Sequence, residues 1–199
     1  MEFDALDGNL LTSAEVAPRF ANFGNRLGAA LLDFLCTLPL GGLAFYFTMF
    51  APSWTNYAIV AVLSFLYKPL MEGQFGATLG KMILKLKVVQ QGGAKITMVQ
   101  AFTRALPWLI ASVLGLWASH DLLTYPGIED VDGFAEYGEL MAEYQQEMGF
   151  SAKSIISSIA GWLPLVSALF MLGSARKQAL HDQLAETFVV HKDPLPQTF

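Results

Sequence analysis

Residues 25–50, NRLGAALLDFLCTLPLGGLAFYFTMF, decide the fold. At about 1.5 Å of rise per residue this stretch is long and apolar enough to cross a hydrocarbon layer of about 30 Å. It also carries Arg26 at its start and Asp33 two turns later. Seven positions on a helix return to nearly the same face, about 20° off and about 10 Å further along the axis. That is too far for the two charges to neutralise each other on one helix, so each needs a partner elsewhere in the chain. A carboxylate at membrane depth is costly and faces other helices or an aqueous cavity.

The whole chain agrees with a membrane reading. Its 199 residues are 54% hydrophobic and only 15% charged, with a mean hydropathy of +0.44. Residues 1–20 are acidic and lack the basic start and apolar centre of a signal peptide, so they are expected to be retained. Cys36 is the only cysteine, which excludes an intramolecular disulfide and reads as a small buried hydrophobe. Three scattered histidines offer no zinc spacing, and no cofactor or metal is expected. The net charge of −5 misleads if read globally, because the charges are segregated along the chain, and no nucleic-acid partner is expected.

Outward from the first span, Pro39, Gly41 and Gly42 predict a kink or a break into two pieces. Trp54 and Tyr57 read as interfacial aromatics ahead of a second span over 57–71, with Lys68 snorkelling at its end. Residues 72–95 form a polar loop. Within it Met82, Leu84, Leu86 and Val88 alternate with Ile83, Lys85, Lys87 and Val89, and a Gln91-Gly92-Gly93 turn leads into 94–97, the pattern of a short β-hairpin. Thr97 and Gln100 make a capping box that starts a third span over 98–118. That span contains Arg104, a candidate partner for Asp33 or for Asp182.

Residues 119–152 form an insertion with eight acidic residues and no Lys or Arg from His120 to Ala152. Phe134, Tyr137, Met141, Tyr144 and Met148 recur at helical steps, predicting an amphipathic helix over the extracytoplasmic mouth of the bundle. A fourth span covers 155–173 and includes Pro164. Arg176 and Lys177 mark its membrane edge, and 187–191 reads as a strand to pair with the hairpin at 85–89.

Eleven of the twelve Lys and Arg residues fall on one side of these spans, with Lys153 opposite. The positive-inside rule therefore predicts both termini in the cytoplasm and 119–152 outside. The expected fold is an all-α membrane protein: a four-transmembrane-helix bundle with a small cytoplasmic β-hairpin or sheet and an extracytoplasmic amphipathic helix. The expected division is a cytoplasmic segment 1–20, a membrane domain 21–192 and a tail 193–199, with no domain-scale repeat.

Arg26 and Asp33, the segment GQFGATLGKMILKLKVV, the segment TMVQAFTRAL and the segment RKQALHDQLAETFVV together resemble the RDD family of prokaryotic membrane proteins. The resemblance covers about residues 18–192. The Arg and two Asp after which that family is named fall here on Arg26, Asp33 and Asp182. The acidic insertion departs from the common pattern. The resemblance implies an integral protein of the inner (plasma) membrane and, for some members, likeness to cation/proton antiporters.

Arg26, Asp33, Arg104 and Asp182 are thus the candidate site. One expectation is a small transporter exchanging a monovalent cation for a proton on Asp33, with His181 as a possible proton relay beside Asp182. Four helices enclose little polar space, so transport would call for a homo-oligomer or another membrane protein as partner, besides the lipid bilayer. The other expectation is a non-transporting scaffold or assembly factor whose charge network is structural. The segment GATLGKM fails the P-loop pattern, because Met82 stands where Ser or Thr should hold magnesium, and it reads as a turn with Lys81 at lipid headgroups. Glu136, Glu139 and Glu143 read as a solvated acidic face, and His120 with Asp121 as a helix-end pair. No nucleophile and base with a recognisable local signature occurs, which ranks an enzyme third.

Overall fold

The computed structural model describes residues 19–149 and 152–192. The expected tail 193–199 and all but the end of segment 1–20 lie outside the described residues. In chain order the elements are helices α1 (Phe23–Met49), α2 (Trp54–Phe75) and α3 (Leu79–Ile83), strand β1 (Leu86–Gln90), helices α4 (Met98–Leu123), α5 (Phe134–Met148), α6 (Ala152–Gly161), α7 (Leu163–Leu169) and α8 (Leu180–Leu184), and strand β2 (Thr187–His191). Single 3₁₀ turns follow α4 and α7.

Helix α1 starts where the Asn22 side chain accepts a 2.8 Å hydrogen bond from the Asn25 backbone N–H, satisfying one of the orphan donors of the first turn. The expected break at Pro39 is absent, since α1 continues as one helix through Pro39, Gly41 and Gly42. The interruption falls instead in the fourth apolar segment, between Gly161 and Leu163, where Pro164 follows and cannot donate to the preceding turn. Cys36 is exposed on α1 rather than buried. Helix α4 opens with the capping box expected at Thr97 and Gln100, both reciprocal bonds being present.

Among the described residues, three segments are long and apolar enough to cross a membrane: α1, α4 and the stretch 152–173. Helix α2 has comparable length but carries Lys68 and Glu72. It does not end at 71 as expected, but runs on to Phe75 and stops at Gly76, whose φ of +72° suits glycine. This brings Glu72 out of the predicted loop and into a helix that packs on α4.

The sheet is an antiparallel pair with Leu86 opposite His191, Val88 opposite Val189 and Gln90 opposite Thr187, which unites the middle and the end of the chain as the sequence predicted. The hairpin is only partly formed. Residues 79–83 are helical, and the turn after β1 returns to it through a single bridge between Val89 and Lys95. Alternation is real only from Leu86 onward, where Leu86 and Val88 are fully buried with Ala29, Ala101 and Val189.

A repeat not visible in the sequence emerges from this order. Two long helices, a five-residue helix, a left-handed residue and a five-residue strand occur twice, as α1–α2–α3–Lys85–β1 and as α4–(α6, α7)–α8–Glu186–β2. Lys85 and Glu186 have φ of 54° and 53°. The short helix packs on the first long helix of its own unit each time, and the strand pairing is symmetric about Val88 and Val189. The acidic segment with α5 is an insertion in the second unit.

Candidate functional site

Asp33 sits at the start of α3. Its Oδ1 accepts hydrogen bonds from the Tyr67 hydroxyl and the Gly80 N–H, both at 2.8 Å, and its Oδ2 accepts one from Thr78 Oγ1 at 2.6 Å. Tyr67 in turn accepts from the Leu79 N–H at 3.0 Å. Two donors that a helix start leaves unpaired are thereby satisfied, so one α1 carboxylate and one α2 phenol fasten α3 beneath the helices. All three partners of Asp33 are formally neutral. Of the two partners the sequence offered Arg104, it takes Asp182 and not Asp33.

Arg104 is buried together with Glu72 and Asp182, all three at 0% exposure. Its Nε donates to Glu72 Oε2 at 2.8 Å, and its Nη1 donates both to Asp182 Oδ1 and to Thr187 Oγ1, the latter at 2.5 Å. Arg26 Nη1 donates to the other oxygen of Asp182, and its Nη2 donates to the Lys177 carbonyl at 2.6 Å. Lys81 donates to the remaining oxygen of Glu72, so its ammonium turns inward rather than to lipid headgroups. The arginine of each unit's first helix thus reaches an acid of the other unit: Arg26 of α1 to Asp182 of α8, and Arg104 of α4 to Glu72 of α2. Of the four predicted residues the structure joins Arg26, Arg104 and Asp182, and leaves Asp33 in a separate nest. Glu72 and Lys81 complete the cluster. Glu72 was overlooked because it stands just after an apolar run, and the signal that marks it is its position four residues beyond Lys68 on a helix that runs past its apolar part.

Asp182 also folds back to accept the Ala179 N–H at 3.0 Å, capping its own helix. Burial alone would raise its pKa, but the Arg104 and Arg26 guanidinium groups outweigh that and hold the carboxyl well below the usual carboxylate range. Beside it, His181 donates its backbone N–H to Ser167 Oγ at 3.1 Å, and its Nδ1 lies 2.8 Å from the same oxygen. Nε2 lies 3.5 Å from Asp182 Oδ1, a carboxylate that favours the ring proton on that nitrogen and leaves Nδ1 to accept from the Ser167 hydroxyl. The Trp108 ring closes edge-on against the imidazole at 5.0 Å. Burial pushes His181 well below its ordinary pKa and keeps it neutral, which suits a latch between α7 and α8 better than a relay.

Lys68 does not snorkel outward. Its Nζ lies 2.9 Å from the centroid of the Trp108 ring, a cation–π contact inside the bundle. On the acidic insertion, Lys153 pairs with Asp121 at 2.8 Å. Tyr125 donates to Glu147 at 2.5 Å, which pushes the Tyr125 phenol up to about 12. Among the described residues no group of three or more His, Cys, Asp or Glu side chains could hold a metal ion. Glu136 serves a local role, accepting the Asp132 N–H at 2.7 Å.

No curated protein and no solved structure matches the chain. The model of the RDD family matches residues 20–186, a span that takes in α1 to α8 and every charged member of the cluster, and the chain belongs to the RDD family.

Proposed function

We propose that this chain is a non-transporting membrane platform, a scaffold or assembly factor whose Arg26, Arg104, Glu72 and Asp182 network is structural. One observation carries this reading: every carboxylate oxygen of Asp33, Glu72 and Asp182 already accepts a hydrogen bond or ion pair from the protein. A cation/proton exchanger needs a carboxylate free to trade a proton for a cation. Here the nearest basic groups outnumber the acids they face, which repels a cation. Asp33 then acts as a fastener for α3, and His181 as a latch.

The platform reading includes four spans. Helix α2, with 22 residues and about 33 Å of length, is the fourth, its polar residues being tolerated because they face α4. The domain is 21–192. Both termini and the sheet lie on the cytoplasmic side of the inner membrane, with 119–152 on the other. The acidic helix α5, whose Phe134 is 71% exposed, is the docking surface for another membrane protein. In a Cys36→Ser background, an impermeant maleimide should label Glu139→Cys in intact cells and Gln91→Cys only after lysis. The reverse pattern would invert the topology.

The deciding experiment is monovalent-cation flux driven by a pH gradient in proteoliposomes, comparing the native chain with Asp33→Asn at equal incorporation. Flux at the level of empty liposomes supports the platform. Flux that is present in the native protein and lost in Asp33→Asn restores the transporter with Asp33 on the ion path. Cross-linking from α5 then separates a distinct partner from a second copy of this chain.

A further inference from the structure

Between α2 and α4 lies a cavity of about 460 Å³, within the range of small-molecule sites. Its walls are mostly small or apolar, with the hydroxyl groups of Tyr57, Ser64 and Ser112 and the bare backbone of Gly115 among them. Lys68 and Trp108 lie toward one end. From Lys68 to Tyr57 the cavity follows α2 for about 16 Å.

The charges around that end do not balance. The charges that act on Lys68 there are Lys81 and Arg104 against Glu72 and Asp182, so with Lys68 itself the basic groups exceed the acids by one. Among the described residues, Lys68 has no carboxylate within ion-pair distance; its Nζ lies over the Trp108 ring, and Glu72 is the acid that acts on it most strongly. Deeper in the same charge cluster, though not in the cavity wall, Arg104 Nη2 and Arg26 Nε are buried donors without an acceptor among the described residues. A buried layer rich in donors and short of acceptors favours an anion.

We propose that this cavity binds a single-chain anionic amphiphile, its carboxylate or phosphate head on Lys68 Nζ and its alkyl tail along the α2–α4 walls toward Tyr57. The head completes the charge balance, and the tail covers apolar wall that a soluble ion would leave bare. This site is independent of whether the chain docks a partner. Trp108, which touches both Lys68 and His181, links the cavity to the α7–α8 latch.

The test is equilibrium binding of palmitate to the full chain in nanodiscs of zwitterionic lipid, with hexadecanol as the neutral probe of equal tail and inorganic phosphate as the free anion. Palmitate should bind saturably and at least about tenfold more tightly than hexadecanol, the scale of one charge-assisted hydrogen bond. Lys68→Gln should lose about that factor and Lys68→Arg should keep most of it. Gly115→Leu, which fills the cavity without touching a charge, should weaken both long-chain probes. Equal binding of palmitate and hexadecanol by the native chain overturns the proposal without reference to any variant. Displacement of palmitate by inorganic phosphate at comparable concentration also overturns it, by identifying a free-anion site.

Discussion

Arg104 is the residue on which the buried charges depend, since among the described residues it alone forms ion pairs with both Glu72 and Asp182. Arg104→Ala leaves two buried carboxylates short of a counter-charge and should cost about 3–5 kcal/mol. Arg104→Lys should recover only part of this, because one ammonium cannot reproduce the fork that meets Glu72, Asp182 and Thr187 together. Chemical denaturation in detergent reads both. The neighbouring His181 supplies a pH signature. Its folded pKa lies below the unfolded value of about 6.5, so the unfolded chain gains a proton first and stability falls as pH drops below about 6.5. The depressed Asp182 carboxyl acts later: its stabilisation is whole above about 3.9 and is lost as pH falls through its lower folded value. The stability gap between the native chain and His181→Gln should therefore narrow from about pH 7 to about pH 5, and a gap that stays constant would remove His181 from the acid response. The pairing of Arg104 with Asp182 was legible as one of two options, because charges in apolar spans must find partners. Glu72 was not, because hydropathy ends a span at its first acid whether or not a distant arginine is waiting for it.

Among the elements, α3 shows how a local pattern can lose to tertiary structure. Alternation over 82–89 reads as a strand, yet Asp33 and Tyr67 hold the Thr78–Gly80 backbone at a helix start. Neither partner is near in sequence, so no local pattern could show them. The packing has a sharp consequence at Gly80. A Cβ there would lie 2.1 Å from the Ala29 carbonyl oxygen and 2.8 Å from the Asp33 nitrogen, both backbone atoms of α1. Gly80→Ala should force α3 off α1 and lower stability by at least about 1–3 kcal/mol. Gly73 makes the control. Its added Cβ meets the Met98 sulfur, the far part of a flexible side chain, so Gly73→Ala should cost distinctly less once Met98 turns aside. Thermal unfolding of the two variants compares them directly, and equal losses would mean that the α1–α3 contact is less rigid than its geometry implies. Strand β2 was legible because 187–191 is β-branched, aromatic and near the end of the chain, where only one basic strand awaited it.

At the scale of the molecule, the repeated order of elements means that neither unit is complete alone. Each would expose a five-residue strand edge; the first would bury Arg26 without Asp182, and the second would leave Arg104 with Asp182 but without Glu72. The units meet through β1–β2, the crossed Arg26 and Arg104 contacts, and the α2–α4 packing. The chain passes between them at Gly92 and Gly93, with φ of 90° and 84° and open space around both. That turn carries connectivity and little packing. A chain cut between Gly92 and Gly93 and expressed as residues 1–92 with 93–199 should therefore reassemble in the membrane and co-purify, while either part alone should fail to accumulate. Adding Arg26→Ala to the first part should weaken recovery, and adding Arg104→Ala to the second should weaken it more, since Arg104 serves one acid from each unit. The repeat was hidden in the sequence because the two units match in backbone order and not in residues: Asp33 and Tyr67 of the first fasten its short helix, whereas Ser167 and Asp182 do so in the second. If the two parts instead accumulate separately and never co-purify, the crossed arginines are not what holds the units together, and the β1–β2 pairing must depend on the covalent turn.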